Sequence, residues 1–397
     1  MDLRSHYPYS LMNNGLVAAY PSLPHNVTAD VAVIGAGISG ALVAYALKDD
    51  ASCVVIDRRH AGMGSTAAST SLLQYEIDTP ITKLQHMVGL EHAVRSYMLC
   101  SDSIFRLQEI SGEVGNPFAL VPSLQYASYN KHVADLHDEY QLRRKHGFDI
   151  RWLTDTDMER LYGFRAPAAV LSEAGASVDA YMLTHLLLQH CAQAGHAVFD
   201  NTTVTRITHG KGRVVLHTDT GHTVSARRLV IACGYESLQY IPKQVATIHS
   251  TYAFVTEPFC AKDFWHRRSL IWETKMPYLY MRVTDDDRII AGGLDDNFYN
   301  PHHRDALVKR KAALLARKVN KLFPAINTRP DFSWAGAFAA TKDGLPYIGM
   351  YHGIPNTYFA LGFGGNGITF SVVAADIIRD GVLGRKNRDA KLFGFDR

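Results

Sequence analysis

Residues 30–57 read DVAVIGAGISGALVAYALKDDASCVVID. The segment opens on a short apolar run, Val31 to Ile34, of the kind that forms a buried parallel strand. Gly35, Gly37 and Gly40 follow in the spacing G-x-G-x-x-G. An apolar helical pattern then runs from Ile38 to Leu47, and a second apolar run, Cys53 to Ile56, ends on Asp57. The pattern predicts a βαβ unit with its phosphate-binding turn between the first strand and the helix. Gly35 allows the tight turn, Gly37 lets backbone approach a pyrophosphate, and Gly40 lets the helix lie close to the strand. The helix N-terminus offers orphan N–H groups and a positive dipole end to the phosphates. Asp57, at the tip of the second strand, is placed to accept hydrogen bonds from a ribose. Three glycines alone mark many ordinary turns; the two strands, the helix and the terminal acid turn them into a dinucleotide site.

Outward from this unit, 397 residues exceed the size at which one hydrophobic core keeps growing, so two domains are expected. A hydrophobic content of 47% with 20% charged residues describes a globular, enzyme-sized chain. The net charge of +3 and the lack of a long basic block argue against a nucleic-acid partner. RKHGFDIR (144–151) and ARKVNK (316–321) read as solvated helix faces. The five cysteines are far apart and form no C-x-x-C pair, so neither a disulfide framework nor a metal site is expected. That usage fits a reducing compartment, and a cytoplasmic protein is expected. The one run that imitates a membrane span, Val31 to Leu47, is better explained by the βαβ unit, so no span is expected. The sequence carries no signal for an oligomeric state.

Residues 1–29 read as an extended surface arm. Directly after Asp57, Gly62, Gly64, Ser65, Thr66 and Ser69 form a small, hydroxyl-rich segment followed by a predicted helix. It is either a flexible loop with a helix cap or, given its place after the second strand, a contact to the cofactor. Amphipathic periodicity predicts helices over 91–110, 131–146, 181–194 and 303–322. Residues 116–129 read as strand and 165–178 as loop. Strands are predicted at 197–199, 204–208, 214–218, 223–226 and 228–234, then an antiparallel sheet over 247–257 and 270–294. A helix over 372–380 closes the chain.

Four stretches together carry a family resemblance: GAGISG with its terminal Asp57, GMGSTAAS (62–69), RLVIACG (228–234), and KDGLPYIG (342–349) with YFALGFGGNGITFS (358–371). Across residues 30 to about 380 the chain resembles the FAD-dependent D-amino-acid oxidase-like superfamily, which holds glycine oxidase, monomeric sarcosine oxidase and related amine oxidoreductases. The fold so implied is α/β: a Rossmann-like FAD-binding domain of the D-amino-acid oxidase-like type, with an inserted α+β substrate domain built on an antiparallel sheet. Segments 1–88, 175–242 and 330–397 would form the FAD-binding domain, and 89–174 and 243–329 the substrate domain. The resemblance implies that Gly35, Ala36, Gly37, Ile38, Ser39 and Gly40 hold the FAD pyrophosphate, with Asp57, Arg58 and Arg59 near the adenosine ribose. Gly64, Ser65, Thr66 and Ser69 would approach the pyrophosphate and flavin edge. Val204 would meet the adenine through its backbone, with Cys233 and Gly234 also at the cofactor. Gly364, Gly365, Asn366, Gly367 and Ile368 would run beside the isoalloxazine. Two departures stand out. No cysteine follows Cys260, so a covalent link from the C-terminal third is excluded and non-covalent FAD is expected. The strand that should carry an oxygen-activating lysine reads RIIAGGLDD (288–296), which leaves oxidase and dehydrogenase both open.

The resemblance implies hydride removal from the carbon beside an amine nitrogen, with an amine or amino acid as the small-molecule partner. In ETKMPYLYMR (273–282), a strand would put Tyr278, Tyr280 and Arg282 on one face, where the guanidinium could clamp an amino-acid carboxylate. The same pattern also describes a half-exposed strand with an ordinary arginine. Lys342 is a further candidate beside the flavin-facing tail, or a solvated turn residue next to Asp343 and Gly344. Tyr75 and Glu76 read as core packing and surface charge. Three rivals stand beside amine oxidation: C–O oxidation of a 2-hydroxy acid or glycerol phosphate, a flavin-binding subunit completed by a partner, and, on the fingerprint alone, an NAD-dependent dehydrogenase.

Overall fold

The computed structural model describes residues 1–260, 262 and 264–397. The strands Val27–Ile34 and Cys53–Ile56 pair in parallel, with Val31↔Cys53 and Ile34↔Ile56 in register. Val31, Ala32 and Val33 are completely buried because both sheet faces are covered, which is why the run reads as continuously apolar. On the outer side of Cys53–Ile56 lies Ala197–Phe199, also parallel. On the other side of Val27–Ile34 lies Thr223–Ile231. The two strands expected at 223–226 and 228–234 are one strand, with two further partners on its other edge. Its first half pairs antiparallel with Arg213–Thr218, and its last residues pair in parallel with Thr357–Leu361. Val204–Gly210 and Tyr347–Met350 complete this eight-stranded sheet.

The helices Ile38–Leu47, Ala180–Gln193 and Gly367–Val382 share one apolar core against the sheet. The first and last meet directly, with Ser39 Oγ 2.7 Å from Ser371 Oγ. The two ends of the chain therefore close one cofactor-binding layer.

The second, nine-stranded sheet runs in the order 4–6, 330–341, 246–256, 289–296, 279–283, 270–273, 123–126, 168–172, 150–154. It is antiparallel except where Leu270–Glu273 pairs with Ser123–Tyr126. The helix Pro301–Leu322 packs its apolar stripe, including Val308, Leu315 and Val319, against it. That helix starts on Asn300, whose side chain accepts from the His303 amide, with Pro301 in the first turn.

Three expectations are corrected. Residues 165–178 hold two strands, Ala168–Ser172 and Gly175–Val178, in place of a loop; they are buried throughout and so lack polar alternation. Pro330–Thr341 was expected in the cofactor layer but pairs along Ala246–Thr256 in the other sheet, so the chain returns to the first sheet only at Tyr347. The 1–29 arm is partly ordered: Arg4–His6 adds an edge strand to Pro330–Thr341, and Tyr9–Asn14 is helical. No helix among the described residues is long and apolar enough to cross a membrane.

Candidate active site

A cavity of about 590 Å³ is lined from both large sheets. At one end lie Gly35, Gly37, Ile38 and Ser39. Gly35 has φ +111°, and a Cβ there would sit 2.5 Å from the Ala232 carbonyl oxygen, so glycine is required. Gly40 is turned away from the cavity and lets the helix rest on the turn, since a Cβ would run into the Gly35 carbonyl. The helix Ile38–Leu47 begins at Gly37 with no side-chain cap and no acid in its first turn, leaving its positive end open to the cavity.

The hydroxyl-rich segment faces this end. Gly64, Ser65, Thr66 and Ser69 all line the cavity. Thr66 Oγ1 accepts from the Ile38 amide at 3.0 Å, while Ser65 Oγ is buried with no partner among the described residues. An orphaned hydroxyl beside a helix start that carries no acid suits an anionic ligand such as a pyrophosphate. Ala36 does not line the cavity; its amide donates to Asp57 Oδ2 at 2.8 Å, and the Arg59 amide donates to Oδ1 at 2.9 Å. Burial pushes the Asp57 carboxyl above the ordinary range against the pull of these two amides. Asp57 therefore stands at the cavity wall, oriented by backbone, as a ribose-binding acid should.

Arg58 and Arg59 line the same end, and both pair with Glu236, Arg59 Nη2 at 2.8 Å. Burial works against ionisation of Glu236, but the hydrogen bond and charge of Arg59 outweigh it and hold its carboxyl below the usual range. Val204, Cys233 and Gly234 also line the cavity. Burial pushes the Cys233 thiol up to about 12, which leaves it unreactive as a nucleophile. These features fit a dinucleotide along their whole length.

Gly364, Gly365, Asn366, Gly367 and Ile368 also line the cavity. Asn366 pins this turn by donating to the carbonyls of Gln74 and Glu76, each at 3.0 Å. The Gly365 amide donates to Asp78 Oδ2 at 2.8 Å, and a Cβ on Gly364 would lie 2.5 Å from the same oxygen. Asp78 was not singled out in the sequence, where nothing in QYEIDTP marks it. The Tyr278 hydroxyl lies 3.4 Å from Asp78 Oδ1.

Tyr278 and Tyr280 line the cavity with ring centroids 5.8 Å apart. Burial pushes the Tyr280 phenol up to about 12, so it stays protonated. Its ring lies across Gly292, where a Cβ would sit within 2.7 Å of a ring carbon. The strand Ile289–Asp296 carries a register shift against Ala246–Thr256: Tyr252 faces Gly293 and Ser250 faces Asp296, so one residue opposes Leu294 and Asp295. This is a β-bulge, with Leu294 at φ +56°, and Asp295 lines the cavity. Burial raises the Asp295 carboxyl to about 6, against the Thr251 hydroxyl. A bulge depends on pairing between distant strands, so sequence reading missed Asp295.

Two candidates are corrected. Arg282 does not line the cavity. Its Nε donates to the Thr70 carbonyl at 2.6 Å and its Nη1 to Ser177 Oγ at 3.1 Å, so two of its three nitrogens are held by the protein's own chain, outside the cavity lining. Lys342 also stands off the cavity and donates to the Arg397 carbonyl at 2.9 Å from an exposed turn. Lys342→Ala is expected to leave flavin content unchanged and kcat/KM within about two-fold in steady-state assay, as for a surface substitution. Tyr75 and Glu76 are buried behind the cavity wall.

Comparison with known proteins agrees with this geometry. Glycine oxidase of Geobacillus kaustophilus is 24% identical to the chain, covering 88% of it and 92% of the relative. Gamma-glutamylputrescine oxidoreductase of Escherichia coli is 23% identical, covering 94% and 87%. L-proline dehydrogenase from P. horikoshii shares the fold with a TM-score of 0.79 at 18% identity, covering 94% of this chain and 97% of that one. The family model described as DAO, FAD dependent oxidoreductase, matches residues 30–380. With that match running from the phosphate-turn strand to the closing helix, the chain belongs to the DAO family of FAD-dependent oxidoreductases, and the dinucleotide its cradle is shaped for is FAD.

Proposed function

We propose that this enzyme oxidises the C–N bond of an amine or amino acid by hydride transfer to a non-covalently held FAD. One observation carries the choice of bond. The end of the cavity near Gly365 presents the carboxylates of Asp78 and Asp295 and the phenols of Tyr278 and Tyr280. Among the described residues, the cations lining the cavity are Arg58 and Arg59, both tied to Glu236. A 2-hydroxy acid or a glycerol phosphate would bring negative charge against two carboxylates with no cation to meet it. An amine brings donors and positive charge. The names of glycine oxidase and gamma-glutamylputrescine oxidoreductase, both nitrogen compounds, point the same way.

FAD, when bound, supplies the two-electron acceptor that takes the hydride. The chain's own residues do the rest. The turn Gly364–Ile368, which we assign to the flavin edge, is fixed by Asn366 and Asp78. Tyr278 and Tyr280 wall the reacting region and limit water near the C–H bond to be broken. An amine that arrives protonated first passes a proton to Asp78 or Asp295, and the freed nitrogen lone pair then forms the C=N bond as the hydride leaves. Water then hydrolyses the imine to a carbonyl compound and ammonia or a smaller amine. We place the enzyme in a reducing compartment, in keeping with its five free cysteines.

The purified protein is expected to absorb near about 370 and 450 nm, and acid precipitation is expected to release the flavin into the supernatant. Under nitrogen, amines are expected to bleach the flavin while 2-hydroxy acids and glycerol phosphate do not. Bleaching by the hydroxy compounds alone would overturn the C–N reading. Repeating the panel in air with peroxide measured separates oxidase from dehydrogenase.

A further inference from the structure

We infer that the substrate is a cationic amine without a carboxylate on the carbon to be oxidised, its positive charge held by Asp78 and Asp295. This rests on the C–N reading and narrows it. An amino acid presents an ammonium and a carboxylate together, and recognition of the carboxylate calls for a cation, most effectively an arginine fork. The arginine on the cavity strand does not line the cavity and is not placed for that task. Arg282 is 6% exposed, and its hydrogen bonds go to Thr70, Ser177 and the Val283 carbonyl. Lys311 answers the neighbouring acid, with Nζ 2.7 Å from both Asp296 Oδ1 and the Leu294 carbonyl. Among the described residues, no cation lines this end to offset a second negative charge.

The acids, by contrast, have capacity left. Asp295 Oδ1 is buried and makes no hydrogen bond among the described residues. A carboxylate is an acceptor only, with about four lone-pair sites, and a buried one without a donor is costly until a ligand supplies it. Asp78 opens into the cavity and is held by the Gly365 amide and the Tyr278 hydroxyl. The faces of Tyr278 and Tyr280 add a surface on which an ammonium is favoured over a carboxylate. The bulge at Leu294–Asp295 and the bare Gly292 that accommodates Tyr280 both belong to one strand, Ile289–Asp296. The discrimination is a difference of affinities, set as much by repulsion of the anionic group as by attraction of the cation.

The test uses the flavin-loaded enzyme and two readouts. In the first, unreactive probes are titrated while the flavin visible spectrum is followed: tert-butylammonium, which has no hydrogen on the carbon beside nitrogen, and pivalate as the anionic match. The ammonium is expected to bind at least ten-fold tighter than pivalate. Asp295→Asn and Asp78→Asn are each expected to weaken it ten-fold or more. Flavin content and Tm of each variant report whether it has folded. Pivalate binding as tightly as the ammonium, or folded variants that bind the ammonium unchanged, would overturn the inference. In the second, anaerobic bleaching is compared for an amino acid, the amine left on removing its carboxylate, and the diamine of matching length. The two amines are expected to reduce the flavin at least ten-fold more efficiently than the amino acid; parity, or preference for the amino acid, is the contrary result. If only hydroxy compounds bleach, the C–N reading fails, while the first titration still decides the charge preference on its own.

Discussion

Gly40→Ala is expected to purify with little or no flavin and to unfold well below the wild type. The added methyl would collide with the Gly35 carbonyl oxygen and stand 2.9 Å from the Gly35 carbonyl carbon. Backbone at the centre of a turn cannot swing aside as a side chain would. The turn cannot retreat either, because Gly35 already lies against Ala232 and Cys233, with φ +111°. The helix must therefore lift from the strand, which moves Gly37, Ile38 and Ser39 at the cofactor end of the cavity. Overpacking of this kind costs about 1–3 kcal/mol and more where backbone is involved. Loss of a ligand that had been present at 100 times its Kd removes about 2.7 kcal/mol more. The check is the ratio of flavin to protein absorbance after purification, together with Tm measured with and without added FAD. A variant carrying stoichiometric flavin would show that close packing at Gly40 is dispensable.

That prediction was accessible from the amino-acid order because the G-x-G-x-x-G turn is a local device. Strand, turn and helix are contiguous; Gly40 answers a contact five residues back, at Gly35, and Gly35 one at the end of the neighbouring parallel strand. The GGNG turn was legible through its family resemblance, whereas the contacts that fix it, from the Asn366 side chain to the Gln74 and Glu76 carbonyls, join segments far apart in the chain. What stayed hidden depends on chain segments meeting from far apart. Arg282 does share a strand face with Tyr280, as period-2 alternation predicts, yet Thr70 and Ser177 capture its guanidinium, and no local pattern announces that. Asp295 owes its place to a bulge defined by a strand some forty residues earlier. Pro330–Thr341 was assigned to the wrong sheet because an apolar, alanine-rich strand suits either one; only its register with Ala246–Thr256 decides. Glu76 read as surface charge because its cation, Arg143, is 67 residues away in sequence.

Arg143→Met should destabilise the protein by about 3–5 kcal/mol, the cost of leaving a buried acid without its counter-ion. Arg143 is completely buried on the helix Val133–Lys145. Its Nη1 lies 3.3 Å from both Glu76 Oε1 and the Tyr75 hydroxyl, its Nη2 3.3 Å from Gln125 Oε1, and its Nε 3.6 Å from Glu139 Oε1. Glu139 in turn accepts from the amides of Ile81 and Thr82 at the start of the helix Ile81–Val88, each at 3.1 Å. Burial pushes the Glu76 carboxyl up to about 7, even though Arg143 pulls it down. With a folded value above that of the unfolded chain, about 4.3, the native state holds the extra proton. Stability from this group is thus full below the unfolded value and is lost as pH rises through about 7. Removing the guanidinium raises the folded value further, so the variant should lose more stability at pH 8 than at pH 5.5. Urea midpoints at the two pH values test this; equal losses would mean that Glu76 stays neutral with or without Arg143. Because the Glu76 carbonyl also accepts from Asn366, flavin retention should weaken in parallel. Adding Glu76→Gln to Arg143→Met removes the uncompensated charge and should recover stability mainly at pH 8, an asymmetry that a simple packing defect would not produce.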